Sequence, residues 1–185
     1  MNTSFLPSTS STLDDEALLD FIQAWLVGIS GLNGNLIRPR WQTEPPNIPS
    51  LGTNWIAFGI IKRTPDTFIV ERPMGGYNET QRHEVLEFLC SVYGPNNGSL
   101  SSLLRDGMQV SVNHEYLSQE SMGLVQTTDP VNSPEFIKGK WYQRQDFNFL
   151  IKRQIKRTYQ VQTIQTAEIG LNNEHYITNI SVQEH

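Results

Sequence analysis

The chain has 185 residues, a net charge of −5, one cysteine and 37% hydrophobic residues. That length holds one domain with a core large enough to need neither disulfides nor a structural metal. The acidic balance argues against a general nucleic-acid binder, and no apolar run approaches the roughly 20 residues of a membrane-spanning helix.

The first fifteen residues contain neither Lys nor Arg and no long apolar stretch, so no secretory signal is expected there. Residues 1–11, rich in Ser, Thr and Asn, predict a flexible N-terminal arm. Thr12 offers an N-cap, and Asp14, Asp15, Glu16 and Asp20 complement the positive end of the helix that follows. Ala17, Leu18, Phe21, Ile22, Trp25, Leu26 and Ile29 recur at helical spacing, and Gly31 supplies the stop. Between residues 33 and 53, Gly34, Pro39, Pro45, Pro46, Pro49 and Gly52 predict a loop with a short extended piece over 37–41.

Residues 55–62 and 67–71 read as two strands with the turn Thr64-Pro65-Asp66 between them. Within 77–93, Val85, Leu86, Phe88, Leu89 and Val92 fit a helix, but Leu86, Phe88, Cys90 and Val92 also alternate as a strand face. The strand is favoured because it runs into the hard break Tyr93-Gly94-Pro95-Asn96-Asn97-Gly98. A second helix over 99–105 closes at Gly107, and 108–137 is mostly loop around a strand near 123–128. Residues 141–158 alternate, with Phe147, Phe149, Ile151 and Ile155 on one side and Asp146, Asn148, Lys152 and Lys156 on the other. A further strand over 159–169 suggests an antiparallel pair, and 172–185 reads as an extended polar arm. The expected fold is a single α+β domain over 12–171, a mainly antiparallel sheet flanked by two helices with extended polar termini.

Tests for chemistry return specific rejections. His83-Glu84-Val85-Leu86-Glu87 lacks the second histidine that a zinc-protease helix needs at position 87. Pro65-Asp66 would open a nuclease centre only with an acid two residues before a lysine, and no such pair occurs. No G-x-S-x-G elbow is present, and the glycines from Gly28 to Gly34 follow a helix rather than a strand. Cys90 sits in an apolar run and reads as a buried, inert thiol. Phe147 and Phe149 belong to a core face, which argues against a single-strand nucleic-acid platform around Trp141 and Tyr159. Catalytic, cofactor and metal sites are therefore all expected to be absent, and the chain to act through its surfaces.

The order of features carries a resemblance. An N-terminal helix precedes Arg38-Pro39-Arg40-Trp41, a hairpin-like pair, a long strand ending in Tyr93-Gly94-Pro95-Asn96, and Ser101-Ser102-Leu103-Leu104-Arg105. Arg144-Gln145-Asp146-Phe147 and Arg157-Thr158-Tyr159-Gln160-Val161-Gln162-Thr163-Ile164 close the series. Over 12–170 the chain resembles the neck or tail-terminator proteins of tailed bacteriophages and prophages. The resemblance implies a homohexameric ring that caps the tail tube and meets tube and sheath proteins on one side and the head connector on the other. DNA would pass through its lumen without sequence-specific binding, and the protein would reside in the virion after synthesis in the bacterial cytoplasm, with no membrane partner. Another head–tail joining or tail-tube protein is the nearest alternative. A small nuclease or hydrolase with a site converging from distant loops is the alternative of a different class.

Residues 138–157 carry seven basic residues against Asp146, a net +6 that leaves −11 on the rest of the chain. A cyclic ring uses two different complementary patches on each subunit. Asp14, Asp15, Glu16 and Asp20 on the first helix, and Lys152, Arg153, Lys156 and Arg157 on the late strand, are the candidate subunit-interface residues.

Overall fold

Two 17-residue strands, β5 (Tyr77–Tyr93) and β10 (Arg144–Gln160), pair antiparallel along their whole lengths and form the spine of the protein. Each spans about 55 Å if extended. In the computed structural model, which describes residues 8–10 and 12–160, shorter strands dock end to end along both outer sides of this spine. Beside β5 lie β3 (Trp55–Pro65) and then β4 (Val70–Pro73). Beside β10 lie β1 (Ser8–Ser10), β6 (Met122–Thr127) and β7 (Val131–Asn132). The strand β2 (Ile37–Pro39) adds to β3 in the sheet's parallel pairing, and β8 (Glu135–Ile137) with β9 (Lys140–Tyr142) makes a separate hairpin.

Side-chain alternation fixes which face of the spine is covered. Phe58, Cys90 and Phe147 stand in one row across three strands, and Ile60, Phe88 and Phe149 in the next. Phe88 and Phe149 stack with ring centroids 4.8 Å apart. Three helices cover this face: α1 (Asp15–Ser30), α2 (Asn97–Met108) and α3 (Ser111–Ser118). Leu18, Ile22, Trp25 and Leu26 of α1, Leu104 and Met108 of α2 and Leu117 of α3 complete the core. Cys90 is fully buried in it, which pushes its thiol pKa up and leaves it unreactive.

The α+β class, the sheet and the strand reading of 77–93 match the expectation. Several details differ, each for a physical reason. Asp14 rather than Thr12 caps α1, accepting from the Ala17 amide at 2.9 Å, while the Thr12 hydroxyl oxygen accepts from the Lys156 amide. β3 and β4 are not a hairpin: both run antiparallel to β5, so the Thr64-Pro65-Asp66 segment interrupts an edge instead of reversing the chain. The second helix starts earlier than expected and runs one residue past Gly107, to Met108; a Cβ at Gly107 would sit 2.4 Å from Ile29 Cγ2, so glycine there lets α2 approach α1.

The expected loop over 108–137 holds α3, β7 and β8 as well as β6, which makes three α-helices rather than two among the described residues. Tyr159 and Gln160 continue β10 instead of opening a new strand, and residues 161–185 lie outside the described residues. Ser8–Ser10, part of the expected N-terminal arm, pairs with β10 opposite residues 157–159. At the other end of the spine Gly94 has φ +112, with the Thr53 carbonyl oxygen only 2.6 Å from where a Cβ would stand. Glycine is needed at that bend for both reasons.

Candidate assembly surfaces

Where α1 begins, the apolar face of the spine ends in charge. Glu84 and Arg153 are cross-strand neighbours on the same face as Leu86 and Ile151. Arg153 Nε donates to Glu84 Oε1 at 2.7 Å, and the two side chains are 7% and 5% exposed. The other arm of the Arg153 fork reaches the Leu13 carbonyl at 3.3 Å, just before the Asp14 cap. Arg63 joins from β3, pairing with Asp15 at 2.8 Å and standing 3.9 Å from Glu84. The start of α1 is thus tied to three strands through one buried carboxylate and its guanidinium partners.

A second polar cluster lies on the sheet face opposite the helices, near the other end of the spine. Arg144 donates to both oxygens of Asp146, at 2.8 and 2.6 Å, and to Glu135 Oε2 at 2.9 Å. The Tyr93 hydroxyl donates to the same Glu135 oxygen at 3.2 Å. Ser91 donates to Asp146 and accepts from Arg40, which draws the loop after β2 into the cluster. Trp55 stacks on Tyr93 with centroids 4.0 Å apart, and the Arg144 guanidinium lies over the Tyr93 ring. Burial alone would raise the Asp146 carboxyl, but the hydrogen bonds from Arg144 and Ser91 outweigh it and hold the group below its ordinary value. Burial also raises the Tyr93 phenol. This network clasps the β8–β9 hairpin onto the sheet.

The eight charged residues singled out in the sequence therefore have different places. Asp14 is the cap, and Asp15 pairs with Arg63. Arg153 is buried, and the fork that bonds Glu84 also bonds the carbonyl of the residue before the cap, so its charge is spent inside one protomer. Lys152 and Lys156 alternate to the sheet face opposite the helices, Lys152 being exposed there. Arg157 is half-buried, beside β1. Glu16 and Asp20 remain exposed on α1.

Sequence reasoning missed Glu84, Arg40, Ser91 and Glu135. Arg144-Gln145-Asp146 was visible as a motif, but its partners are distant along the chain. Among the described residues, no group of three His, Cys, Asp or Glu side chains is placed to hold a metal ion. No helix among them is long and apolar enough to cross a membrane.

No protein of curated function matches the chain. A family model described as "Phage neck terminator protein" matches residues 16–175, from the first turn of α1 through β10 and beyond. A match across that much of the sequence places the chain among structural proteins of the phage virion that meet other neck and tail components at the head–tail junction. The chain belongs to the phage neck terminator protein family.

Proposed function

We propose that the protein closes into a six-membered ring that caps the tail tube, stops its growth and presents a docking surface to the head connector. Tube and sheath proteins meet one side of the ring, and DNA passes through the lumen without sequence-specific contact. The protein is made in the host cytoplasm and acts without catalysis. The family match over residues 16–175 carries this reading.

Physical support comes from where the free charges lie. A ring needs two unlike patches on each subunit. Exposed Glu16 and Asp20 lie on the helical layer, while Lys152 and Lys156 belong to the opposite sheet face. One copy can thus present its acids to the lysines of the next. Opposed patches of this kind orient encounter and set register more than they add affinity.

Purified protein examined by sedimentation and negative-stain electron microscopy should form rings of one size. Lys152→Glu should lower the ring fraction several-fold at low salt, with an unchanged Tm because the side chain is exposed. Open tubes or a monomer from the wild-type chain would contradict the ring. Full assembly of the variant would remove Lys152 from the interface.

A further inference from the structure

Beyond the helical layer the sheet continues as an arm. It comprises the first part of β5, the last part of β10, β4 beside one and β1 beside the other. The segment that connects β3 to β5 at its edge is strongly apolar and uncovered. Phe68 is 84% exposed, and Ile69, Val70 and Met74 are each exposed by half or more. Contiguous exposed apolar surface of this sort marks an interaction site.

The same chain has a hollow of mixed polarity on its helical layer, with Ile29, Leu103 and Val110 beside Ser99, Ser102 and Asn113. A shallow cleft of about 730 Å³ lies between the C-terminal end of α1 and α2, lined by Ile29, Leu103, Asp106, Gly107 and Val110 among others. Leu103 and Val110 are themselves exposed at its rim. Gly107 lies in its lining, packed so close to Ile29 that a Cβ would meet Ile29 Cγ2 at 2.4 Å.

We propose that the Phe68 tip of one copy seats in the α1–α2 cleft of the next, and that this contact links neighbouring subunits. The inference rests on the ring reading and gives it a specific joint. The cleft cannot be filled by the arm of its own chain. The first residues of α1 are bonded to Arg63 and Arg153 near the root of the arm, whereas the cleft lies at the last residues of α1, about 20 Å further along the helix. Knob and hollow at opposite ends of one molecule make a heterologous, head-to-tail contact, the type from which rings close.

Charge supports a second copy as the occupant. Exposed Arg72 flanks the apolar tip, where its neighbour Glu71 is engaged by Asn78, and exposed Asp106 stands in the cleft wall. Beside Asp106 is the C-terminal end of α1, whose last turn has no basic residue to offset the negative end of its dipole. An arginine arriving with the tip meets both.

Cross-linking tests the joint, because the single native cysteine is fully buried and gives no background. Phe68→Cys and Leu103→Cys are made separately and together in the full chain and treated with a short bis-maleimide. Mixing the two single variants should give a covalent dimer, and the double variant a ladder up to the ring. Phe68→Asp should weaken assembly by about tenfold or more, with an unchanged circular dichroism spectrum, since a buried aromatic anchor is lost from the interface. Absence of the mixed dimer while wild-type protein sediments as a ring would overturn the joint and leave the ring reading standing. Strong coupling of Phe68→Cys to itself would overturn the joint too, because it signals a two-fold contact. A wild-type chain that sediments as a monomer would overturn both.

Discussion

Arg153→Met should lower the stability of the fold by about 3–5 kcal/mol, the usual cost of stranding a buried charge. The number follows from the site. Glu84 and Arg153 are 5% and 7% exposed, and the substitution leaves the Glu84 carboxylate without its 2.7 Å donor. Arg63 and Arg82 compensate little, since their nitrogens stand 3.9 and 4.0 Å from Glu84. The Leu13 carbonyl also loses its donor, so the start of α1 should loosen with the strand pair. Replacing both partners, Glu84→Leu with Arg153→Met, should recover most of the loss, because two apolar side chains need no mutual neutralisation. Urea midpoints of wild type and the two variants decide the point. A double variant no more stable than Arg153→Met would mean that the pair acts through something other than its charges.

Asp146→Asn should cost about 2–3 kcal/mol at neutral pH, through lost charge-assisted hydrogen bonds and a partly unsatisfied Arg144. Its pH dependence is more diagnostic than its size. The folded Asp146 carboxyl titrates below its ordinary value, against burial, because Arg144 and Ser91 bond its ionised form. A depressed carboxylate stabilises the fold fully above its unfolded pKa of about 3.9 and loses that contribution as pH falls through the lower folded value. Wild-type stability should therefore fall more steeply than that of Asp146→Asn as the solution is acidified below about pH 4. Parallel profiles would show that the carboxylate is not held in its charged form by this network.

The contrast between the two clusters and the core explains what the sequence makes legible. Alternation is a local signal, and β5 and β10 repeat it over long stretches, so Leu86, Phe88, Cys90, Phe147 and Phe149 are assignable to the core from the residue pattern alone. The helix α1 carries an acidic start, an apolar stripe and Gly31 at φ +68, three local signals that agree. The helix α3 has almost none of this: Tyr116 and Leu117 are its only inward apolar residues, and it is held by Leu117 in the core, by Tyr116 stacking on Phe21 and by the Trp25 indole donating to the Asn113 carbonyl. Strands of two to four residues such as β1, β4 and β7 owe their existence to the edge of a long neighbour, which no short window reveals.

The placing of the candidate interface residues was legible only in part. The uneven charge was real, but alternation sends Lys152 and Arg153 to opposite faces of β10. Only one of them is therefore available to a partner. Nothing local distinguishes them, since the difference lies in Glu84 across the sheet and in the α1 terminus above it. The exposed tip at Phe68 and the cleft beside Gly107 gave no signal at all. Both depend on where the arm ends and how closely α1 and α2 approach.

Whether this protein ends tail growth and joins tail to head can be read from tail length. A phage encoding this chain, with an early stop codon in its gene, should yield full heads and unattached tails of irregular, excessive length, and wild-type protein supplied in trans should restore joined particles of one length. Tails of normal, uniform length attached to heads in its absence would contradict that role.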